Sequence, residues 1–129
     1  CVAETMDKNV SRMTIVTTGD DQIIEQITKQ LNKLINVIKV YDLTGEEHIE
    51  RELAMIKVNA NAGDRSEILS IIDIFRGKVV DVSPSAYTIE MTGDAEKVNA
   101  IMELLKPFGI KEIVRTGKIA MARSPKGGK

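Results

Sequence analysis

His48 is the only histidine and Cys1 the only cysteine in 129 residues, so chemistry that needs a convergent pair of either type has nothing to draw on. His48 sits in the charged run Gly45-Glu46-Glu47-His48-Ile49-Glu50 and reads as a solvated connector residue, not as a metal ligand or a base. Glu46, Glu47, Glu50 and Glu52 could meet a hard cation, yet they lack the ligand spacing of a chelating loop and read as the same connector. Cys1, in the apolar run Cys1-Val2-Ala3, reads as a strand residue and not as a reactive thiol. Arg76-Gly77-Lys78 and Lys126-Gly127-Gly128-Lys129 lack the spacing and flanking elements of a phosphate loop. No catalytic residue and no metal ligand is assigned, no cofactor is expected in the chain, and the expectation is a protein that is not an enzyme.

Charge narrows the partners. Eighteen basic residues face nineteen acidic ones, which removes the long-range attraction that nucleic-acid binding draws on. The one local imbalance is C-terminal, where Lys111, Arg115, Lys118, Arg123, Lys126 and Lys129 face Glu112 alone; it reads as a solvated edge and tail. Tyr41, Phe75, Tyr87 and Phe108 form no paired stacking platform of the kind RNA-binding modules use. A single cysteine excludes an internal disulfide framework, and no segment has the length or the apolar character of a membrane span or signal peptide. The expectation is a cytoplasmic protein with neither nucleic acid nor membrane as partner.

The elements around these residues repeat. Ser11-Arg12-Met13-Thr14-Ile15-Val16-Thr17-Thr18-Gly19-Asp20 lies over Ser85-Ala86-Tyr87-Thr88-Ile89-Glu90-Met91-Thr92-Gly93-Asp94 without a gap, at an offset of 74, and six of the ten residues coincide. Ile27 then falls on Ile101 and Leu31 on Leu105. This is the signature of a duplication. Arg12 to Thr17 and Ala86 to Thr92 are β-branched-rich and predict strands. Asp20 and Asp94 predict helix N-caps. Ile23, Ile24, Ile27, Leu31, Leu34 and Ile35 make one apolar stripe, and Val98, Ile101, Met102 and Leu105 another. A further strand follows each helix, at Val37 to Leu43 and at Lys111 to Arg115.

The second copy also shows what should precede this half-unit. Glu52 to Asn59 alternates as a strand. Asp64 with Glu67 predicts a capping pair for a helix carrying Ile68, Leu69, Ile71, Ile72 and Phe75, with Gly77 as its stop and Lys78 to Val82 as the next strand. The complete unit is β-α-β-β-α-β. The fold class is therefore α+β, with two ferredoxin-like units of which the N-terminal one lacks its first strand and helix. It opens in its second strand, Cys1 to Thr5, followed by a polar hairpin at Met6 to Val10. The expected division is 1–45 for the partial unit, 46–52 for a connector and 53–129 for the complete unit. About 25 to 30 further N-terminal residues are expected on this reading, and cores this small favour self-association.

Ser11-Arg12-Met13-Thr14-Ile15, then Ile27 with Leu31 and Leu34, and Val37-Ile38-Lys39-Val40 resemble the second half of an ACT domain of one family, the small regulatory subunits of acetohydroxyacid synthase (acetolactate synthase). Arg51 to Val58, Ile74 to Val82 and Ile113 to Gly117 resemble the C-terminal domain of that same family, in collinear order over nearly the whole chain. The resemblance implies a non-catalytic subunit that activates a catalytic partner and confers feedback inhibition by branched-chain amino acids, chiefly valine. It implies a homodimer with valine bound between protomers, and it puts thiamine diphosphate, FAD and magnesium on the catalytic subunit. The family's Asn-rich, Gly-containing effector loop would precede residue 1. Val2 alone matches a pocket-lining position, with a strand core residue as the other reading. Arg12, Arg51 and Arg115 are candidates for partner contact. The C-terminal unit also resembles effector domains of ligand-responsive transcriptional regulators, which is the alternative reading, although the chain has no DNA-reading helix.

Overall fold

The structure, a computed structural model, describes residues 1–125. Its elements run β1 (Val2–Glu4), β2 (Ser11–Met13), α1 (Asp21–Asn32), β3 (His48–Asn59), α2 (Arg65–Ile74), β4 (Lys78–Val82), β5 (Ala86–Gly93), α3 (Ala95–Leu105), a single 3-10 turn (Lys106–Phe108), β6 (Ile110–Arg115) and β7 (Ile119–Ala122). The chain divides into two units. One holds Cys1 and Glu50–Ile119; the other holds Val2–Ile49 and the segment from Ala120 onward.

The larger unit is the expected β-α-β-β-α-β. Its strands lie in the order β4-β5-β3-β6, and β3 is antiparallel to both β5 and β6. Alternation along β3 turns Glu52, Ala54, Ile56 and Val58 inward, as a sheet with one covered face requires. They pack with Tyr87, Ile89 and Met91 of β5 against Ile68 and Ile72 of α2 and Val98, Ile101 and Leu105 of α3. This is the stripe that the helical spacing predicts for the second copy.

The two copies start their helices alike. Asp20 Oδ1 accepts from Ile23 N–H at 3.0 Å and Asp94 Oδ1 from Lys97 N–H at 2.9 Å, so both caps form as the sequence predicts. The glycine before each cap has a packing reason as well. A Cβ on Gly19 would meet Ile23 Cγ2 at 2.9 Å, and one on Gly93 would meet Lys97 Cβ at 3.2 Å. The first helical turn folds back over the end of the preceding segment and leaves room only for hydrogen. Asp94→Ala is expected to cost about 1 kcal/mol, read as a lower urea midpoint at unchanged slope.

Three expectations need correction. Asp64 does not form a capping pair: it is itself in a helical conformation and its side chain makes no cap bond. The stop at α2 is a Schellman motif whose left-handed residue is Arg76, at φ 55, and not Gly77. Gly77 N–H reaches Ile72 O at 2.9 Å and Arg76 N–H reaches Asp73 O at 3.1 Å, the two bonds that define the motif. Gly77 is instead a site of close approach, since a Cβ there would meet Ile72 Cγ2 at 3.2 Å. Third, β3 begins at His48, so much of the 46–52 connector is strand.

The smaller unit is sparser than expected. β1 and β2 form a hairpin with Val2 opposite Met13 and Glu4 opposite Ser11, closed by Thr5 N–H on Val10 O at 2.9 Å. The strand predicted to reach Thr17 stops at Met13, and Val37 to Leu43 forms no strand. A strand requires a neighbour to receive its backbone groups, and β-branched composition does not supply one. Helix α1 buries none of its side chains.

Candidate functional site

Alternation along β3 brings a carboxylate into the core of the larger unit. Glu52 is 5% exposed and accepts from Arg115 Nε at 3.1 Å, with the Arg115 Nη2 atom also on the same oxygen. Arg115 Nη1 donates to Asn99 Oδ1 at 2.9 Å, so β3, β6 and α3 meet at one guanidinium. Beside it, Thr116 N–H reaches Leu53 O at 3.0 Å, and Leu53 N–H reaches Thr116 Oγ1 at 3.1 Å. A planar guanidinium suits this role because several of its donors can be used at once. Glu52 is therefore a correction to the solvated connector, and Arg115 is committed to an internal pair. The signal was present in the sequence, since Glu52 is in phase with Ala54, Ile56 and Val58.

A second arginine, which the sequence reading did not single out, organises the opposite end of β3. Arg65 Nε donates to Ala60 O at 3.1 Å, and its Nη2 donates to Ser83 O at 3.1 Å and Pro84 O at 2.8 Å. Its guanidinium stands 5.2 Å from the Tyr87 ring centroid. Both arginines hold backbone or carboxylate oxygens of their own unit, which is structural work.

The remaining sequence candidates do not converge. His48 lies in β3 with Nδ1 2.8 Å from Glu46 O. Glu50 faces Lys118 at 3.5 Å, and Glu47 O accepts from Arg123 N–H at 3.0 Å. Among the described residues no group of three His, Cys, Asp or Glu side chains is placed to hold a metal ion. Arg12 donates to Ala120 O at 2.8 Å and Arg51 to Glu50 O at 2.6 Å. Cys1 is exposed. Lys126 and Lys129 lie outside the described residues. No helix among the described residues is long and apolar enough to cross a membrane.

Val2 is on β1, as a strand residue, but it is 57% exposed and so not in a core. The smaller unit carries an open hollow of about 550 Å³ lined by Asp21, Ile24, Glu25, Thr28, Asp42 and Thr44 among others; Val2 is not in its lining. At its rim the Thr44 hydroxyl donates to Asp42 Oδ1 at 2.6 Å and the Thr44 N–H to the same oxygen at 3.0 Å. These bonds, the hydroxyl's first, hold the Asp42 carboxyl below its ordinary value. A lowered carboxylate favours the folded turn above the ordinary pKa, and that contribution is lost as pH falls through the lowered one. The expected result is an Asp42 titration midpoint, followed by NMR, that moves upward in Thr44→Val.

The described residues thus form small α+β units of the ferredoxin-like kind, held by packing and internal ion pairs. Residues 51–124 match the family described as the small subunit of acetolactate synthase, and residues 1–39 match the AHAS small subunit-like ACT domain. An acetolactate synthase small subunit from Aquifex aeolicus (strain VF5) is 62% identical over 123 residues, 95% of this chain and 64% of that protein. A probable acetolactate synthase small subunit from Methanothermobacter thermautotrophicus is 56% identical over 95% of this chain and 73% of its own length. The crystal structure of an acetolactate synthase small subunit from Thermotoga maritima superposes with a TM-score of 0.88 at 44% identity, covering 96% of this chain and 78% of that one. The chain belongs to the acetolactate synthase small-subunit family. It spans somewhat less than two thirds of the Aquifex protein.

Proposed function

We propose that this chain is a regulatory element of acetolactate synthase, which raises the activity of the catalytic subunit and makes it sensitive to valine. The observation that carries the reading is that both of its segments match one kind of small subunit in collinear order, 1–39 as an ACT domain and 51–124 as the partner domain. On this reading residues 1–45 are part of an ACT domain and 53–129 the C-terminal regulatory domain. Thiamine diphosphate, FAD and magnesium belong to the catalytic subunit, where the chemistry is done, and the cytoplasm is the place of work.

The mechanism is linkage. A ligand shifts an equilibrium only by its differential affinity for two states, and an effector that binds across a homodimer changes which arrangement docks on the enzyme. Self-association is supported by the apolar residues that the smaller unit leaves exposed, among them Leu34, Ile35, Ile38 and Tyr41. Val2 is the residue of this chain assigned to the valine contact.

Titrating the chain into an acetolactate synthase catalytic subunit and measuring acetolactate formation tests this directly. The expected result is a saturable rise in rate that valine reverses. Unchanged rates with and without valine, at chain concentrations well above those of the enzyme, would overturn the reading.

A further inference from the structure

Strand β6 is paired unevenly. Ala54 to Lys57 face Arg115 to Glu112 in one register, whereas Val58 faces Ile110 one residue out of step, leaving Lys111 as the extra residue. Asn59 N–H on Gly109 O at 2.8 Å holds the far end in that second register. Extended through the whole strand, the second register would place Ile113 opposite Met55 and Val114 opposite Ala54. A slip of one residue exchanges the faces of a strand.

The side chains of β6 serve both arrangements. The observed ladder turns Ile110, Ile113 and Arg115 toward the helices; the even ladder would turn Ile110, Glu112 and Val114 there. Each presents two apolar residues and one charged one, and the observed ladder carries an unpaired bulge residue in addition. The hydrophobic pattern of this strand therefore does not select what is seen.

We propose that the buried Glu52–Arg115 pair is the register lock of β6. Glu52 is the charged residue that is buried among the described residues, and its carboxylate is met by Arg115 only when that residue faces inward. The even ladder would turn Arg115 away, leave Glu52 buried without its cation, and turn a second carboxylate, Glu112, inward opposite Ile56. It would also set Lys111 opposite Lys57 in place of Glu112, which lies 3.5 Å from Lys57 Nζ. Asn99 and the paired bonds of Leu53 and Thr116 fix the same end. A buried charge pair is thereby used for register specificity, the best-attested use of such pairs.

Cysteine pairs in the full chain, on a Cys1→Ser background, distinguish the ladders. Met55→Cys with Val114→Cys reports the observed register. Met55→Cys with Ile113→Cys reports the even one, because residues 55 and 113 now point to opposite faces and cannot bridge. With Glu52 and Arg115 in place, the first pair should form a disulfide and the second should not. In Glu52→Leu/Arg115→Leu the yield of the second pair should rise tenfold or more at unchanged helical circular dichroism. An unchanged yield would overturn the proposal. If the double variant loses its helical signal, Glu52→Gln decides: a rise of the second cross-link there supports the lock, and persistence of the first cross-link alone overturns it.

Discussion

Arg115→Ala is expected to cost about 2–4 kcal/mol, below the full range for breaking one side of a buried ion pair because the Arg115 side chain is itself 31% exposed, and still a large share of the stability of a unit this small. The variant removes two guanidinium contacts from a carboxylate that is 4% exposed at the side chain, and alanine offers nothing in return. The loss is mainly the desolvation of an uncompensated Glu52, so replacing both partners with leucine should cost far less than replacing Arg115 alone. Lys118→Ala is the control. Its contact with Glu50 is 3.5 Å long and both side chains are partly exposed, so about 0–1 kcal/mol is expected. Urea unfolding of the full chain measures all three. An Arg115→Ala cost no larger than that of Lys118→Ala would show that Glu52 is satisfied by other means.

Ile101→Ala is expected to cost about 2–5 kcal/mol and Ile27→Ala about 1–2 kcal/mol, although the two isoleucines occupy equivalent positions of the repeat. Ile101 is fully buried against Ile56, Ile89 and Ile68 in one core, so its truncation leaves a cavity as well as lost transfer energy. No side chain of helix α1 is fully buried and Ile27 is only partly buried, so its truncation loses transfer energy without leaving an enclosed cavity. Equal costs for the two would mean that α1 is packed in solution as tightly as α3.

That contrast shows what was legible in the sequence. The repeat at offset 74 located both helix starts, and the Asp20 and Asp94 caps form because a cap is a local device that needs only its own first turn. Alternation in β3 and spacing in α2 and α3 gave the core of the larger unit, because periodicity reports which face is covered. The Asp64 capping pair failed through local competition, since its own backbone is helical. Val37 to Leu43 failed for a tertiary reason: strand propensity describes a surface that fits a ladder, and no neighbouring strand receives it.

The site divides along the same line. By itself the sequence determined that no histidine or cysteine pair could do chemistry, that the unit is β-α-β-β-α-β, and that the chain resembles one family of regulatory subunits. Only the tertiary structure decided that Glu52 is a buried partner of Arg115 and not part of a charged connector. The physical reason is distance along the chain. The charge of Glu52 finds its compensation 63 residues away on β6, and no local pattern can report whether a strand's inward carboxylate has a cation waiting across the sheet.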